Sequence, residues 1–193
     1  MFLLAIVAFS ISTRSSAAIN HDTRASAESG ASLDWYSSPP LHSASAFQFA
    51  AAGSIENGTW AGGFTRAAHN GEAVAASPWH DIPLVVSLGA AARALHFVCE
   101  IPRFTRAKFK VDKADATNRI RQDRDAATGT PRINAYGDYF FNYGMLPQTF
   151  EDPAVVAPGT QYFGDGDPID ALELGSRQLS VGALVAVKPV RRF

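Results

Sequence analysis

The stretch Phe163–Gly175, which reads FGDGDPIDALELG, holds three aspartates within six residues: Asp165, Asp167 and Asp170. Glycines beside the first two let the backbone bend and approach a ligand closely, and a proline before the third restrains it. Residues 151–175 contain six acids and no Lys or Arg. Carboxylates this close repel each other unless a cation lies among them or one keeps its proton. The stretch therefore predicts a site for a hard cation such as Mg2+.

Two other interpretations of this stretch are a solvated acidic turn and a calcium-binding loop. The residues from Ile169 to Leu174 are mostly apolar, which places Asp170 at the edge of a buried segment and disfavours the solvated turn. An EF-hand loop needs Gly at its sixth position and Glu at its twelfth. Counted from Asp165, those positions hold Asp170 and Ser176, so a secreted calcium-binding protein is the weakest alternative.

The D-x-D-P-x-D spacing of the aspartates resembles the signature of the soluble, family I inorganic pyrophosphatases. Three further segments resemble the same family in the same order: SPWHDIPL at Ser77–Leu84, EIPRFTRAK at Glu100–Lys108 and NYGMLPQTFEDP at Asn142–Pro153. The first of these is most similar to plastid members from plants and algae, and the third to the eukaryotic branch. The four segments lie within residues 77–190, so the resemblance leaves the N-terminal third uncovered.

The resemblance implies a hydrolase that acts on a phosphoanhydride bond. Its reaction would be the Mg2+-dependent hydrolysis of inorganic pyrophosphate to two phosphates by a metal-activated water. The implied metal ligands are Asp165, Asp170, Asp167 and Glu100, and the residues implied to bind substrate phosphate are Lys108, Arg132 and Tyr143. Asp167 is also the implied catalytic base beside the attacking water.

Two departures from the family pattern bear on this function. Lys110 stands where the family has a glutamate, and it shares a predicted strand face with Lys108. The family also continues past the strand that ends near Pro189 with a further Asp-rich segment, which this sequence does not contain. We therefore expect a C-terminally incomplete domain with little activity. The alternative function is that of a truncated, non-catalytic remnant that binds metal or phosphate.

Short runs of alternating hydrophobicity with turn residues between them predict a mainly β domain. Leu95–Glu100 and Ala107–Val111 are predicted strands, joined by a hairpin-like return around Pro102. Val181–Val187 is a predicted buried strand whose pairing partners are missing from the chain. The resemblance implies a mainly β (α+β) class, an OB-like small β-barrel with flanking helices that is incomplete at the C-terminus.

The N-terminal part of the chain has a different composition. Residues 1–60 are predicted to be a leader and linker, largely disordered, and residues 61–193 the partial catalytic domain. The apolar run Phe2–Ile11 is too short to span a bilayer and suits a signal or transit peptide. Plastid and cytoplasm both stay open as locations, and no membrane association is expected of the mature form.

Net charge limits the possible binding partners, and the cysteine content indicates the state of the only thiol. A net charge of −1 argues against nucleic acid, whose binding usually needs a basic surface. Nine basic residues against four acids lie in Arg103–Arg132, and such a basic strip beside an acidic one suits a metal–phosphate site. The single cysteine, Cys99, lies in an apolar run and is predicted to be buried and inert. Pyrophosphate is the predicted partner, and a homo-oligomer is left open.

Overall fold

The computed structural model of the chain describes residues 6–10, 46–87, 93–157 and 160–191. These residues form eleven β-strands and no α-helix, so none of them belongs to a helix long and apolar enough to cross a bilayer. The strands are β1 Ile6–Ser10, β2 Phe47–Ala52, β3 Ala61–Ala67, β4 Ala73–Ala76, β5 Val85–Ser87, β6 Arg93–Ile101, β7 Phe109–Val111, β8 Ile120–Gln122, β9 Asn142–Met145, β10 Asp170–Glu173 and β11 Leu184–Arg191.

The strands are divided between two sheets. The larger has the order β11–β1–β10–β9–β6–β5, and β11 also pairs with β6. Its pairings are antiparallel except for that between β1 and β10, which is parallel. The smaller sheet has the order β2–β3–β8–β7, with β4 paired to β3 beside this path. The residues of the candidate site come from both sheets.

Strand β6 is buried on both faces, because its alternating side chains enter two different cores. Phe97 and Cys99 belong to one core and Val98 to the other, and all three are fully buried. The first core also contains Leu146, Ala171, Val185 and Val187, and the second also contains Phe64, Ala76, Trp79, Ile82, Phe109, Val111, Ile120 and Met145. This double burial explains why the predicted strand is apolar along almost its whole length.

The second core lies between the sheets and holds β7 against β6. Phe109 and Val111 are buried, as the alternation in the sequence predicts, while Lys110 between them stays partly exposed. The rings of Trp60 and Phe109 meet edge-on with centroids 4.8 Å apart. Burying a Phe or Val side chain contributes roughly 1.5–3 kcal/mol. The packing therefore fixes the face of β7 on which Lys110 lies.

The mainly β class is confirmed, with two corrections to the implied architecture. No flanking helix occurs in the part of the chain that the structure describes, and the described strands are divided between two sheets where a single barrel was implied. The predicted return around Pro102 is wrong, because β6 and β7 lie in different sheets. At Val98 both edges of β6 are occupied, by Met145 of β9 and Leu184 of β11, so β7 has no edge to join.

The expectation that the last strand lacks partners is also wrong. Residues 184–187 of β11 pair with β6, and residues 187–191 pair with β1. The second of these partners comes from the apolar N-terminal run, whose composition predicts a leader. A signal-peptide core and a sheet strand both need contiguous apolar residues, so composition alone does not distinguish them.

The N-terminal division of the chain differs from the expected one where the structure describes it. Strand β2 pairs with β3 over six residues, from Phe47 opposite Arg66 to Ala52 opposite Ala61. The predicted boundary at residue 60 therefore falls inside a hairpin. Residues 1–5 and 11–45 lie outside the described residues, and for them the leader stays a prediction.

Replacing Gly144 of β9 with alanine tests how tightly β6 and β9 are packed. A Cβ at Gly144 would overlap the carbonyl group of Val98, which is backbone and cannot turn aside. We expect Gly144→Ala to lower the free energy of unfolding by about 1–3 kcal/mol, measured by chemical denaturation.

The matched control for this change is Gly63→Ala in β3. A Cβ there would meet the flexible stem of Arg119 at 3.1 Å, and neither glycine has a positive φ. Because that stem can move, the control should change stability by less than about 1 kcal/mol. Equal losses in the two variants would contradict the packing argument.

Candidate active site

The candidate site lies where the two sheets meet, at the end of β6. Glu100 is 4% exposed, and its Oε1 accepts a hydrogen bond from the backbone N–H of Val111 in β7 at 2.7 Å. Burial raises the pKa of Glu100 to about 8, although the Val111 bond and the charge of Lys110 oppose this rise. At neutral pH Glu100 thus connects the sheets as a largely protonated carboxyl group with one oxygen engaged.

Asp170 opens β10 beside Tyr143 of the neighbouring strand β9. The Tyr143 hydroxyl donates a hydrogen bond to the Asp170 carboxylate. Burial nevertheless raises the pKa of Asp170 to about 6; the charges of Asp165 and Asp167 add to this rise, and that of Lys108 opposes it. The three aspartates are therefore close enough to repel one another, in agreement with the crowding expected from the sequence.

The acidic loop, Gly164–Pro168, is shaped by its own backbone. Asp165 Oδ1 accepts a hydrogen bond from the Asp167 N–H at 3.1 Å. Gly166 has a φ of +76°, a conformation that glycine adopts without a Cβ penalty. Gly164 approaches the backbone of the preceding segment so closely that a side chain there would overlap it. The glycines of the motif therefore allow the loop to fold onto its neighbour.

That neighbour carries Glu151, one of the six acids of residues 151–175, for which the sequence alone predicts no role. Burial, together with the charges of Asp165, Asp170 and Asp167, raises the pKa of Glu151 to about 7. Its backbone N–H donates to the Asp167 carbonyl, and its own carbonyl accepts from Gly166. Glu151 could have been identified from its position, because it lies with the aspartates in residues 151–175, which contain no Lys or Arg.

Two lysines reach the acidic loop from the smaller sheet. Lys113 Nζ lies 2.7 Å from Asp167 Oδ1, and Lys110 Nζ lies 3.7 Å from Asp167 Oδ2. The interpretation that the aspartates have no basic neighbour thus holds along the sequence but is wrong in space. The lysines reach Asp167 because the two sheets meet here, which brings β7 and the turn after it to the acidic loop.

Lys108 and Arg132 are brought together through Asp123. Asp123 Oδ2 lies 3.4 Å from Lys108 Nζ and accepts a hydrogen bond from Arg132 Nη1 at 2.8 Å. Backbone hydrogen bonds join the same three residues, from Lys108 to Arg132, from Asp123 to Lys108 and from Arg132 to Asp123. The acidic cluster consists of Asp165, Asp167, Asp170 and Glu151. Because the charge of Lys108 opposes the rise in the pKa of Asp170, this basic pair lies beside the acidic cluster.

The donor atoms of the acidic cluster suit a hard cation, although they do not converge on one point. Within the described ranges, no three His, Cys, Asp or Glu side chains are arranged closely enough to hold a metal ion. The available donors are carboxylate oxygens, which Mg2+ prefers. Mutual repulsion contributes to the raised pKa values of Asp170 and Glu151, and a cation between them would relieve it. The donor chemistry therefore fits Mg2+.

Cys99 takes no part in this cluster, although it precedes Glu100 directly. Its side chain is buried and unpaired with another cysteine, as the sequence predicts. Burial raises the pKa of its thiol well above the ordinary range, and the charges of Glu100 and Glu173 add to the rise. A thiol that keeps its proton is a poor nucleophile, so the inert interpretation agrees with its surroundings.

Comparison with known proteins gives one consistent result. Residues 97–192 match the family model described as inorganic pyrophosphatase. The chain is 42% identical over 114 residues to inorganic pyrophosphatase 1 of Caenorhabditis elegans, an alignment covering 58% of this chain and 26% of that protein. It is 38% identical over 115 residues to soluble inorganic pyrophosphatase 6, chloroplastic, of Arabidopsis thaliana, covering 59% of this chain and 36% of that protein.

A solved structure gives the same result over more of the chain. The N-terminal domain truncated vacuolar soluble pyrophosphatase of Trypanosoma cruzi, in complex with PPi, is 33% identical with a TM-score of 0.67. The similarity covers 88% of this chain and 64% of that one. The chain thus spans less than two fifths of the length of the two curated relatives and less than two thirds of the solved one.

The buried carboxyl group at the sheet junction predicts a pH-dependent stability in chelator-treated protein. Glu100 has its ordinary pKa of 4.5 when unfolded and about 8 when folded, so its contribution is fully present below about pH 4.5. The contribution is lost as the pH rises through about 8, because the unfolded state gives up its proton first. Glu100→Gln keeps an oxygen acceptor for Val111 but cannot ionise.

We therefore expect the Glu100→Gln variant to be more stable than the unmodified chain at pH 9, by at least about 1 kcal/mol. The difference should shrink towards pH 5, where both side chains are neutral in the folded state. The measurement is urea denaturation at several pH values with chelator present. Parallel stability curves for the two proteins would show that Glu100 does not carry this pH dependence.

Proposed function

Because the chain belongs to the soluble, family I inorganic pyrophosphatases, we propose that it hydrolyses inorganic pyrophosphate to two phosphates with Mg2+. The observation that carries this proposal is the position of two oppositely charged groups at the sheet junction. The acids Asp170 and Glu151 lie on one side, and the basic pair Lys108 and Arg132 lies beside them. A complex of pyrophosphate with a divalent cation needs this combination, because its charges have both signs.

The acidic cluster supplies the proposed cation site. Asp165, Asp167, Asp170 and Glu151 would hold Mg2+ through carboxylate oxygens, and Glu100 would contribute the oxygen that Val111 does not engage. Bound Mg2+ would neutralise substrate oxygens and help a water molecule lose its proton. The protein's own part is to keep the carboxylates close together, which the acidic loop does through its backbone hydrogen bonds.

Asp167 is the proposed base. Its carboxylate is partly exposed and is fixed in direction by its two lysine partners and by the backbone of the acidic loop. A base must be held within hydrogen-bond reach of the proton that it removes, so a fixed carboxylate at the rim of the cluster suits this role. It would take the proton of the attacking water and hold it until product leaves.

The basic pair supplies the proposed phosphate site. The guanidinium of Arg132 can donate two parallel hydrogen bonds to a phosphate, and Lys108 adds a compact charge. Both would exchange Asp123 for substrate oxygens when pyrophosphate binds. The hydroxyl of Tyr143 has a single hydrogen, which Asp170 accepts, so its proposed contact with phosphate requires the same kind of exchange.

The Asp170→Asn variant tests this function in the full chain. We expect Mg2+-dependent release of phosphate from pyrophosphate to fall by at least about 10-fold, because an amide is a weaker cation ligand than a carboxylate. Chelation should abolish the activity of the unmodified chain. The control is Glu72→Gln in the turn between β3 and β4, an exposed acid in the smaller sheet that should leave turnover unchanged.

Two results would contradict the proposed function. Turnover that is indifferent to both chelator and Asp170→Asn would show that hydrolysis does not use this cluster. Pyrophosphate binding without any phosphate release from the unmodified chain would replace hydrolysis with the non-catalytic alternative, a protein that only binds metal or phosphate. Calorimetric titration with pyrophosphate, run beside the phosphate-release assay, distinguishes the two.

A further inference from the structure

Asp167 differs from the other acids of the cluster in having two cationic partners. Lys113 Nζ lies 2.7 Å from its Oδ1 and Lys110 Nζ lies 3.7 Å from its Oδ2, so each carboxylate oxygen faces one ammonium group. Lys113 Nζ also donates to the carbonyl of Gly166 at 3.3 Å. The two lysines therefore contact both the side chain and the backbone of the acidic loop.

The positions of these lysines are set by a rigid element. Lys110 lies on β7, and Lys113 lies two residues beyond its last strand residue, Val111. Val111 is held by its buried hydrogen bond to Glu100 and by packing in the core between the sheets. The ammonium groups consequently start from a fixed strand end, and only their flexible side chains can move away from the loop.

We propose that Lys110 and Lys113 are internal counter-ions of Asp167 that compete with divalent cations for the acidic cluster and so lower its cation affinity. The inference rests on the proposed function, because it takes the acidic cluster as the cation site. A cation that approaches Asp167 must displace an ammonium group, and both lysines also repel it directly. Lys113 and Lys110 are therefore positioning residues, which act on the cation through Asp167.

The distances indicate that Lys113 contacts the acidic loop more closely than Lys110 does. The contact of Lys113 is one ångström shorter than that of Lys110, and Lys113 alone also contacts the loop backbone. All three side chains are partly exposed, at 38%, 44% and 28% for Lys110, Lys113 and Asp167, so solvent weakens the pairs. Removing one such lysine should tighten cation binding about two- to fivefold, with the larger effect at Lys113.

The test measures the binding of Mn2+ to the full chain by calorimetry and by the decrease in the electron paramagnetic resonance signal of free Mn2+. Mn2+ is used because it prefers the same oxygen ligands as Mg2+. The variants are Lys110→Met, Lys113→Met and the double change, with Lys113→Arg as the version that keeps the charge. The matched control is Lys188→Met, which removes one charge from an exposed lysine on β11.

We expect each methionine variant to bind Mn2+ more tightly than the unmodified chain, the double variant most of all, and Lys113→Arg and Lys188→Met to bind as the unmodified chain does. Tighter binding is a readout that simple damage to the fold would not produce, because damage weakens a site. Unchanged or weaker binding in the methionine variants would overturn this inference alone. Failure of the unmodified chain to bind Mn2+ would overturn the proposed function together with it.

Discussion

The hydrogen bond between the Val111 N–H and the Glu100 carboxyl group connects the two sheets, and the candidate site depends on it. Both partners are buried, and a buried carboxyl group that lost its partner would cost about 1–3 kcal/mol or more. The bond holds the end of β7 against the end of β6. Because β7 leads into the turn that carries Lys113, the same contact determines where the positive charges stand relative to the acidic loop.

At this junction, acidic and basic side chains that are distant along the chain are paired across the two sheets. The acidic cluster is assembled from the start of β10 and the segment between β9 and β10, whereas the lysines come from β7 and its flanks. Where a lysine is near, as at Asp167, the carboxylate is paired. At Glu151, where the described part of the chain places no lysine in contact, burial and like charges raise the pKa to about 7. The site thus contains paired and crowded carboxylates side by side.

Local sequence was enough to predict the acidic loop and the buried faces of β6 and β7, because both depend on residues that are neighbours in the chain. Glycine spacing around Asp165 and Asp167 and the alternation through Phe97 and Val98 are signals of this kind. The partners of β6 were not predictable in this way, since they depend on which strand edges are free after distant segments have paired. The lysine contacts of Asp167 follow from that pairing and were missed for the same reason.

The parallel pairing of β1 with β10 has a consequence for the order of events during synthesis. Ile6 pairs with Ala171, so nearly the whole described chain must be made before this strand can find its place. Contacts between such distant segments form slowly, because closing a long loop costs entropy before any contact compensates it. Until then the backbone groups of Ile6–Ser10 lack both of their strand partners. The last two strands of the chain, β10 and β11, therefore decide when the first strand enters the sheet.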